Sequence, residues 1–283
     1  MTAALAIAGY GLREALRRKV FAVVCVLSVA FVALYWVGNR YTFHHVDNIA
    51  PPAGIDPHTF AAAFLFGMAM FGTLFLGVVL AIFLTLGVVR GDAERGLLQP
   101  LVVRPVGRAT VLVARFLGAG AVCVPYVLAL YFATMLLTHA EGKWWPDQIV
   151  TPGLELAGGV LIVAALSLLG SVFLSSIANG IAVFMLFGAG LVAGLLGNIG
   201  HVLNSHGLIH AAKIAAWAVP FEALYQDALR AITEHTTGLT GFLLRLGPFG
   251  GAEQGGVALR LWALAYLVLV GALAAAGFAR RDL

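Results

Sequence analysis

Three groups of residues carry most of the chemistry available to this chain, and all lie outside its long apolar runs. The first group alternates charged with turn-forming residues, as in an exposed, rigid polar element. Its members are Asp92, Glu94, Arg95, Gly96, Leu97, Arg104, Pro105 and Arg108. The second group is the set of eight histidines, which are possible metal ligands. The third is Pro220-Phe221-Glu222-Ala223-Leu224-Tyr225, followed by Asp227; the carboxylates of Glu222 and Asp227 suit a cationic partner.

The histidines form an incomplete metal site. His206 and His210 are spaced i, i+4, which places two imidazoles on one helical face. Neither a cysteine nor a regular carboxylate joins them, and exposed loop histidines are common. The same pair hints at an intramembrane metalloprotease, but no H-E-x-x-H accompanies it. We therefore predict no metal site and no enzymatic activity in this chain, with His206 and His210 as the weak candidates.

The carboxylates near Pro220 have two interpretations. In one, Pro220, Phe221, Glu222 and Tyr225 line an external vestibule, where Glu222 meets water or a cationic substrate. In the other, the acidic residues pair locally with Arg230 and stabilise a half-helix. Local pairing is the plainer interpretation, because the segment is predicted to lie near the membrane interface.

The polar series around position 100 predicts a compact element. Asp92 is a suitable cap for a short helix that ends before Pro100, and Pro105 with Gly107 turns the chain into the next apolar run. Such an element protrudes from the membrane as a small polar tip. Alternatively, it is a solvated loop whose arginines only fix the topology.

The elements that position these groups are membrane spans. Hydrophobic residues make up 61% of the 283 residues and charged residues 11%, which is too apolar for a water-soluble core of this size. The composition predicts an all-α integral membrane protein with a single domain over residues 1–283. It argues against a soluble enzyme and against nucleic-acid binding, because the basic residues flank apolar runs. The six runs cover residues 20–37, 60–89, 116–137, 156–174, 177–199 and 261–278.

Details of these runs give further expectations. The second is about 45 Å long as a straight helix, so it should tilt, bend or project from the bilayer. Pro125 should kink the third. Residues 3–19 are expected to form an interfacial helix or a simple basic flank, and 20–37 a retained first span rather than a signal peptide. The segment 201–256 should contain re-entrant or interfacial half-helices, since its apolar stretch is short and contains Pro220.

Charge distribution predicts the orientation. With six spans both termini share a side, and that side collects most of the basic residues in short loops. We therefore predict cytoplasmic termini and a multi-pass protein of the cell (inner) membrane, with the histidines outside. The basic residues of the terminal side are Arg13, Arg17, Arg18, Lys19, Arg90, Arg95, Arg104, Arg108, Arg115, Arg280 and Arg281.

Several stretches resemble a known family. Asp92-Ala93-Glu94-Arg95-Gly96-Leu97-Leu98, then Val103-Arg104-Pro105-Val106-Gly107-Arg108 and a basic residue at Arg115, are similar to the loop signature of type-2 ABC exporter permeases. The stretch from Pro220 to Tyr225 and the closing Phe278-Ala279-Arg280-Arg281-Asp282-Leu283 match as well. Two departures are Arg115, where lysine is more common, and Pro100, which replaces an apolar helix former.

The resemblance implies a mechanism. In this family the loop between spans two and three is a coupling helix that docks on a separate ATPase subunit, which binds ATP and Mg. The chain has no G-x-x-x-x-G-K-[ST] of its own, so such energy must come from that partner. A second permease copy, or a related permease, would complete the transport path. Two alternatives remain open: an ion- or proton-coupled secondary transporter, which would need ionisable sites within the spans, and a membrane scaffold that recruits a cytoplasmic protein.

Overall fold

The computed structural model describes residues 19–46, 56–86, 108–234 and 255–280, and this part of the chain is helical without strands. Six of its helices are long and apolar enough to cross a membrane, which confirms the predicted all-α, six-span fold. The helices are α1 (Lys19–His44), α2 (Pro57–Thr85), α3 (Arg108–Gly142), α4 (Thr151–Phe173), α5 (Ser176–Val202), α6 (His206–Ala218), α7 (Phe221–Ala231) and α8 (Gly256–Ala279).

Most spans extend beyond the apolar runs that predict them, because polar residues near the lipid headgroups continue the helix. The third span is the clearest case, since α3 has 35 residues and continues through Pro125. By contrast α2 ends at Thr85, four residues before its apolar run ends, and begins at Pro57, where the Asp56 side chain accepts a hydrogen bond from the Thr59 amide at 2.9 Å. Of the predicted interfacial helix at 3–19, residues 3–18 lie outside the described residues, and Lys19 is the first residue of α1.

The two ends of the helix bundle are defined by contacts between helix termini. At the end that we call the hairpin end, Phe43 stacks on His58 and lies against Gly142, and the backbone amides of Asp147 and Gln148 donate to the carbonyls of Ile232 and Ala231. At the opposite end Phe173 lies against Gly277 and Leu86 against Gly180. Leu86, after α2, and Arg108, the first residue of α3, therefore lie at the opposite end.

Helices α2, α3 and α4 form the centre of the bundle, where small residues permit close contact. A Cβ atom at Gly77 of α2 would lie 2.7 Å from Val127 of α3 and 2.8 Å from Val160 of α4. The most apolar part of α2 is 67% buried, as is that of α4, whereas only 11% of the corresponding part of α1 is buried. Because apolar side chains are stable in lipid, α1 needs no such cover.

Helices α6 and α7 form a helical hairpin that enters the bundle and returns. Helix α6 packs antiparallel to the end of α5, where Ile209 meets Gly200 and Ala212 meets Gly197. The chain turns at Val219–Pro220, since proline cannot continue the preceding helix. Helix α7 then runs back to the hairpin end. At 13 and 11 residues, both helices are too short to span. The predicted re-entrant half-helices are thus present.

Candidate functional site: a buried ion cluster beside the re-entrant hairpin

The hairpin seats its deepest residues in a slot lined by glycines. Phe221 is fully buried, and its ring packs against the backbone of Gly190. A Cβ atom added at Gly190 would lie only 2.5 Å from the ring. Glu222 lies against Gly194 in the same way. Gly190 and Gly194 of α5 have the GxxxG spacing that allows close approach of helices, and here they receive the first turn of α7. Glycine is required here because a side chain would occupy the space of Phe221 and Glu222.

Helix α7 is polar for a helix inside a membrane protein, yet ten of its eleven residues are buried. Glu222 is 4% exposed, and its Oε1 accepts a hydrogen bond from Gln226 Nε2 at 2.8 Å. Tyr225 is fully buried, and this burial raises the pKa of its phenol above the usual range. Such groups are stable in a bilayer only where protein surrounds them.

One guanidinium links the hairpin to two spans. Arg260 of α8 donates from Nε to Glu155 Oε1 of α4 at 2.7 Å and from Nη2 to Asp227 Oδ2 of α7 at 3.2 Å. The side chain of Arg260 is 43% exposed, against 4% for Glu155 and 11% for Asp227. Asp227 Oδ1 also accepts a 3.3 Å hydrogen bond from the Gly256 amide. We call Glu155, Asp227 and Arg260 the ion cluster.

Two buried oxygen atoms at the cluster lack a hydrogen-bond donor or acceptor within the described ranges. They are Glu155 Oε2 and the hydroxyl of Tyr131, a residue of α3 that is fully buried and interacts electrostatically with Glu155. The Tyr131 ring packs on α4 so closely that a Cβ atom added at Gly153 would lie 2.9 Å from the ring. A buried polar atom without a partner is costly, so a ligand or proton at this place is expected to be stabilising.

The other predicted site residues have different positions. Arg108 begins α3, while Asp92, Glu94, Arg95, Gly96, Leu97, Arg104 and Pro105 lie outside the described residues. His206 and His210 are exposed on α6, and the part of the chain that the structure describes contains no group of three or more metal-ligating side chains. Pro220, Phe221, Glu222 and Tyr225 are all buried inside the bundle. Whether they line a vestibule stays a prediction.

Sequence reasoning missed the roles of Glu155 and Arg260. Each lies one helical turn inside a span, four residues after Thr151 and after Gly256 respectively. A charged residue at that depth is a weak sign of pairing, because long side chains near a span end often reach the interface alone.

The comparison of this chain with protein-family models finds no match, and neither does the comparison with curated proteins.

Proposed function

We propose that this protein is the transmembrane permease subunit of an ATP-driven exporter, and that the loop 90–108 couples it to a separate ATPase. The observation that carries the proposal is the loop sequence from Asp92 to Arg108, which resembles the coupling loop of type-2 ABC permeases. The described residues on either side of 87–107, Leu86 and Arg108, lie at the end of the bundle opposite the hairpin, which supports that role.

The helices next to this loop are suited to transmit a displacement. Helix α2 has 29 residues and α3 has 35, and the two pack together against α4. Packed helices move as stiff bodies, so a shift imposed by ATPase closure at one end would reach the hairpin end. The proposal includes cytoplasmic termini in the cell membrane and a second permease copy or a related permease around a shared path.

The proposal is tested in proteoliposomes that contain the permease and an ABC-type ATPase that copurifies with it. Reversing both loop charges with Glu94→Arg and Arg95→Glu is expected to abolish transport and the stimulation of ATP hydrolysis by substrate. Arg280→Glu is the control, because it reverses an exposed charge at the same end of the bundle but after α8. Full coupling in the double variant would remove the loop from this role.

The second candidate function is an ion- or proton-coupled secondary transporter. It is favoured by the ion cluster and by the broken helices α6 and α7, because secondary transporters commonly bind ions at discontinuous helices. Vesicles that contain the permease alone separate the candidates. Solute uptake driven by a proton or sodium gradient, without nucleotide and without ATPase, would contradict the exporter and support this alternative.

A further inference from the structure

The starting observation is that two carboxylates share a single guanidinium inside the bundle. Arg260 contacts one oxygen of Glu155 and one oxygen of Asp227, so two negative groups depend on the same positive partner. Glu155 Oε2 is buried and has no hydrogen-bond donor among residues 19–46, 56–86, 108–234 and 255–280. Away from water, a carboxylate with an unmatched oxygen is strongly destabilised unless a positive charge or a proton meets it.

The surroundings of Glu155 contain few groups that can supply that charge. The titratable or charged groups that face Glu155 are Tyr131 of α3, Asp227 of α7 and Arg260 of α8. Helix α2 carries His58 as its one titratable residue, stacked on Phe43, and α5 carries none between residues 176 and 200. Arg230 follows Asp227 by one turn of α7 and has interactions of its own.

The exposure gradient across the cluster suggests how an ion would enter. The Arg260 side chain is 43% exposed while the side chain of Glu155 behind it is 4% exposed. The Arg260 side chain is therefore the most accessible of the three side chains in the ion cluster. A small cation can replace part of the interaction between Arg260 and Glu155 after only a local movement of the Arg260 side chain. Lys and Arg side chains near span ends readily reorient toward the interface.

We propose that the ion cluster is a binding site for one exchangeable monovalent cation, with Glu155 Oε2 as the ligand atom. The cation neutralises the carboxylate that shares Arg260 with Asp227, and the buried Tyr131 hydroxyl is a further candidate oxygen. A proton needs a single oxygen, whereas a metal ion such as Na⁺ needs several. A bound proton and a bound Na⁺ also give different signals, one in the infrared spectrum and the other in Tm. The site is independent of the ATPase and exists under either candidate function.

The test uses the full chain in nanodiscs and compares the wild type with Glu155→Gln. Glu141→Gln is the matched control, because Glu141 lies at the hairpin end of α3 but outside the cluster. Infrared difference spectra between sodium-free buffers at about pH 6.5 and about pH 9.5, a range in which ordinary carboxyl groups stay ionised, detect a proton on a buried carboxylate through the C=O stretch of its protonated form. Thermal unfolding in NaCl, compared with N-methyl-D-glucamine chloride at equal ionic strength, detects Na⁺ through a rise in Tm.

A bound proton gives a carboxyl band in the wild type and in Glu141→Gln that disappears in Glu155→Gln, with no effect of Na⁺. A bound Na⁺ instead gives a Tm rise of several degrees that Glu155→Gln abolishes. Glu155→Asp serves if the glutamine variant does not fold, since it should shift the band frequency or the Na⁺ concentration required. The absence of both signals in the wild type, their persistence in Glu155→Gln, or an unshifted signal in Glu155→Asp overturns the proposal. Neither assay involves nucleotide or transport, so this failure would leave the exporter proposal untouched.

Discussion

Helices α1 and α7 show opposite relations between polarity and burial. Helix α1 is a span of 26 residues, and only 11% of its most apolar part is buried. Helix α7 carries Glu222, Gln226, Asp227 and Arg230 within 11 residues, yet almost all of it is buried. In water the opposite arrangement would be stable. In a bilayer, lipid solvates apolar side chains as well as protein does, so burial is required mainly by polar groups and by backbone outside long helices.

The comparison also separates two kinds of stability. The contacts of α1 contribute little to the free energy of unfolding, since residues such as Leu34, which is 73% exposed, face the surroundings of the bundle. Helix α7 depends on close packing in the glycine slot and on the Arg260 link to α4 and α8. Substitutions of the same chemical type should therefore have different effects in the two regions.

The largest difference is expected for removal of an apolar side chain. Phe221→Ala should lower the free energy of unfolding by about 3–5 kcal/mol, because it leaves a cavity in the glycine slot. Leu34→Ala, the matched change on α1, should have an effect of at most about 0.5 kcal/mol, because its side chain is exposed. Unfolding of the purified protein in mixed micelles measures both. Equal losses would contradict the contrast between the two helices.

A smaller difference is expected for removal of an arginine at the hairpin end. Arg260→Ala should cost about 2 kcal/mol, less than the loss of a fully buried pair because its side chain is 43% exposed. Arg40→Ala removes a cation–π contact with Trp36 at the end of α1 and should cost less than about 1 kcal/mol. The same unfolding assay applies. A larger effect at Arg40 would show that the ion cluster does not hold the hairpin.

An effect of similar size is expected for the addition of one methyl group on α5. Gly190→Ala should destabilise the protein by about 1–3 kcal/mol, because the new Cβ atom would meet the buried ring of Phe221. Gly188→Ala, two residues earlier on the same helix, should be neutral or stabilise by up to about 1 kcal/mol, because no atom lies within 4 Å of its Cβ position. Thermal unfolding of both variants gives the comparison. A stable Gly190→Ala variant would mean that the hairpin can leave its slot without cost.

The spans and the hairpin differ in how well local sequence predicts them. Every span is present because run length and apolarity are local properties, and the helix boundaries moved by a few residues where polar residues continue a helix, as at Arg108 and Gly142. The break at Pro220 was also visible, since proline ends a helix wherever the chain runs. The sequence did not reveal that Glu222 would face Gly194 or that the polar helix α7 would enter the bundle.

The ion cluster is the part of the candidate site that local sequence missed. Glu222, Tyr225 and Asp227 stand out in the sequence because they follow Pro220 within a few residues. Glu155 and Arg260 do not, since each is one charged residue near the end of an apolar run. Their contact joins residues 105 positions apart, and only the packing of α4 against α8 brings them together.

The amino-acid sequence alone determined the solvent of this protein, the number of spans and the place of the hairpin turn. The physical reason is that the thickness of the hydrocarbon layer and the missing amide of proline act on each segment separately. Tertiary structure alone decided which buried carboxylates share Arg260 and which glycines receive Phe221. These contacts depend on how helices from distant parts of the chain are arranged, and no single segment contains that information.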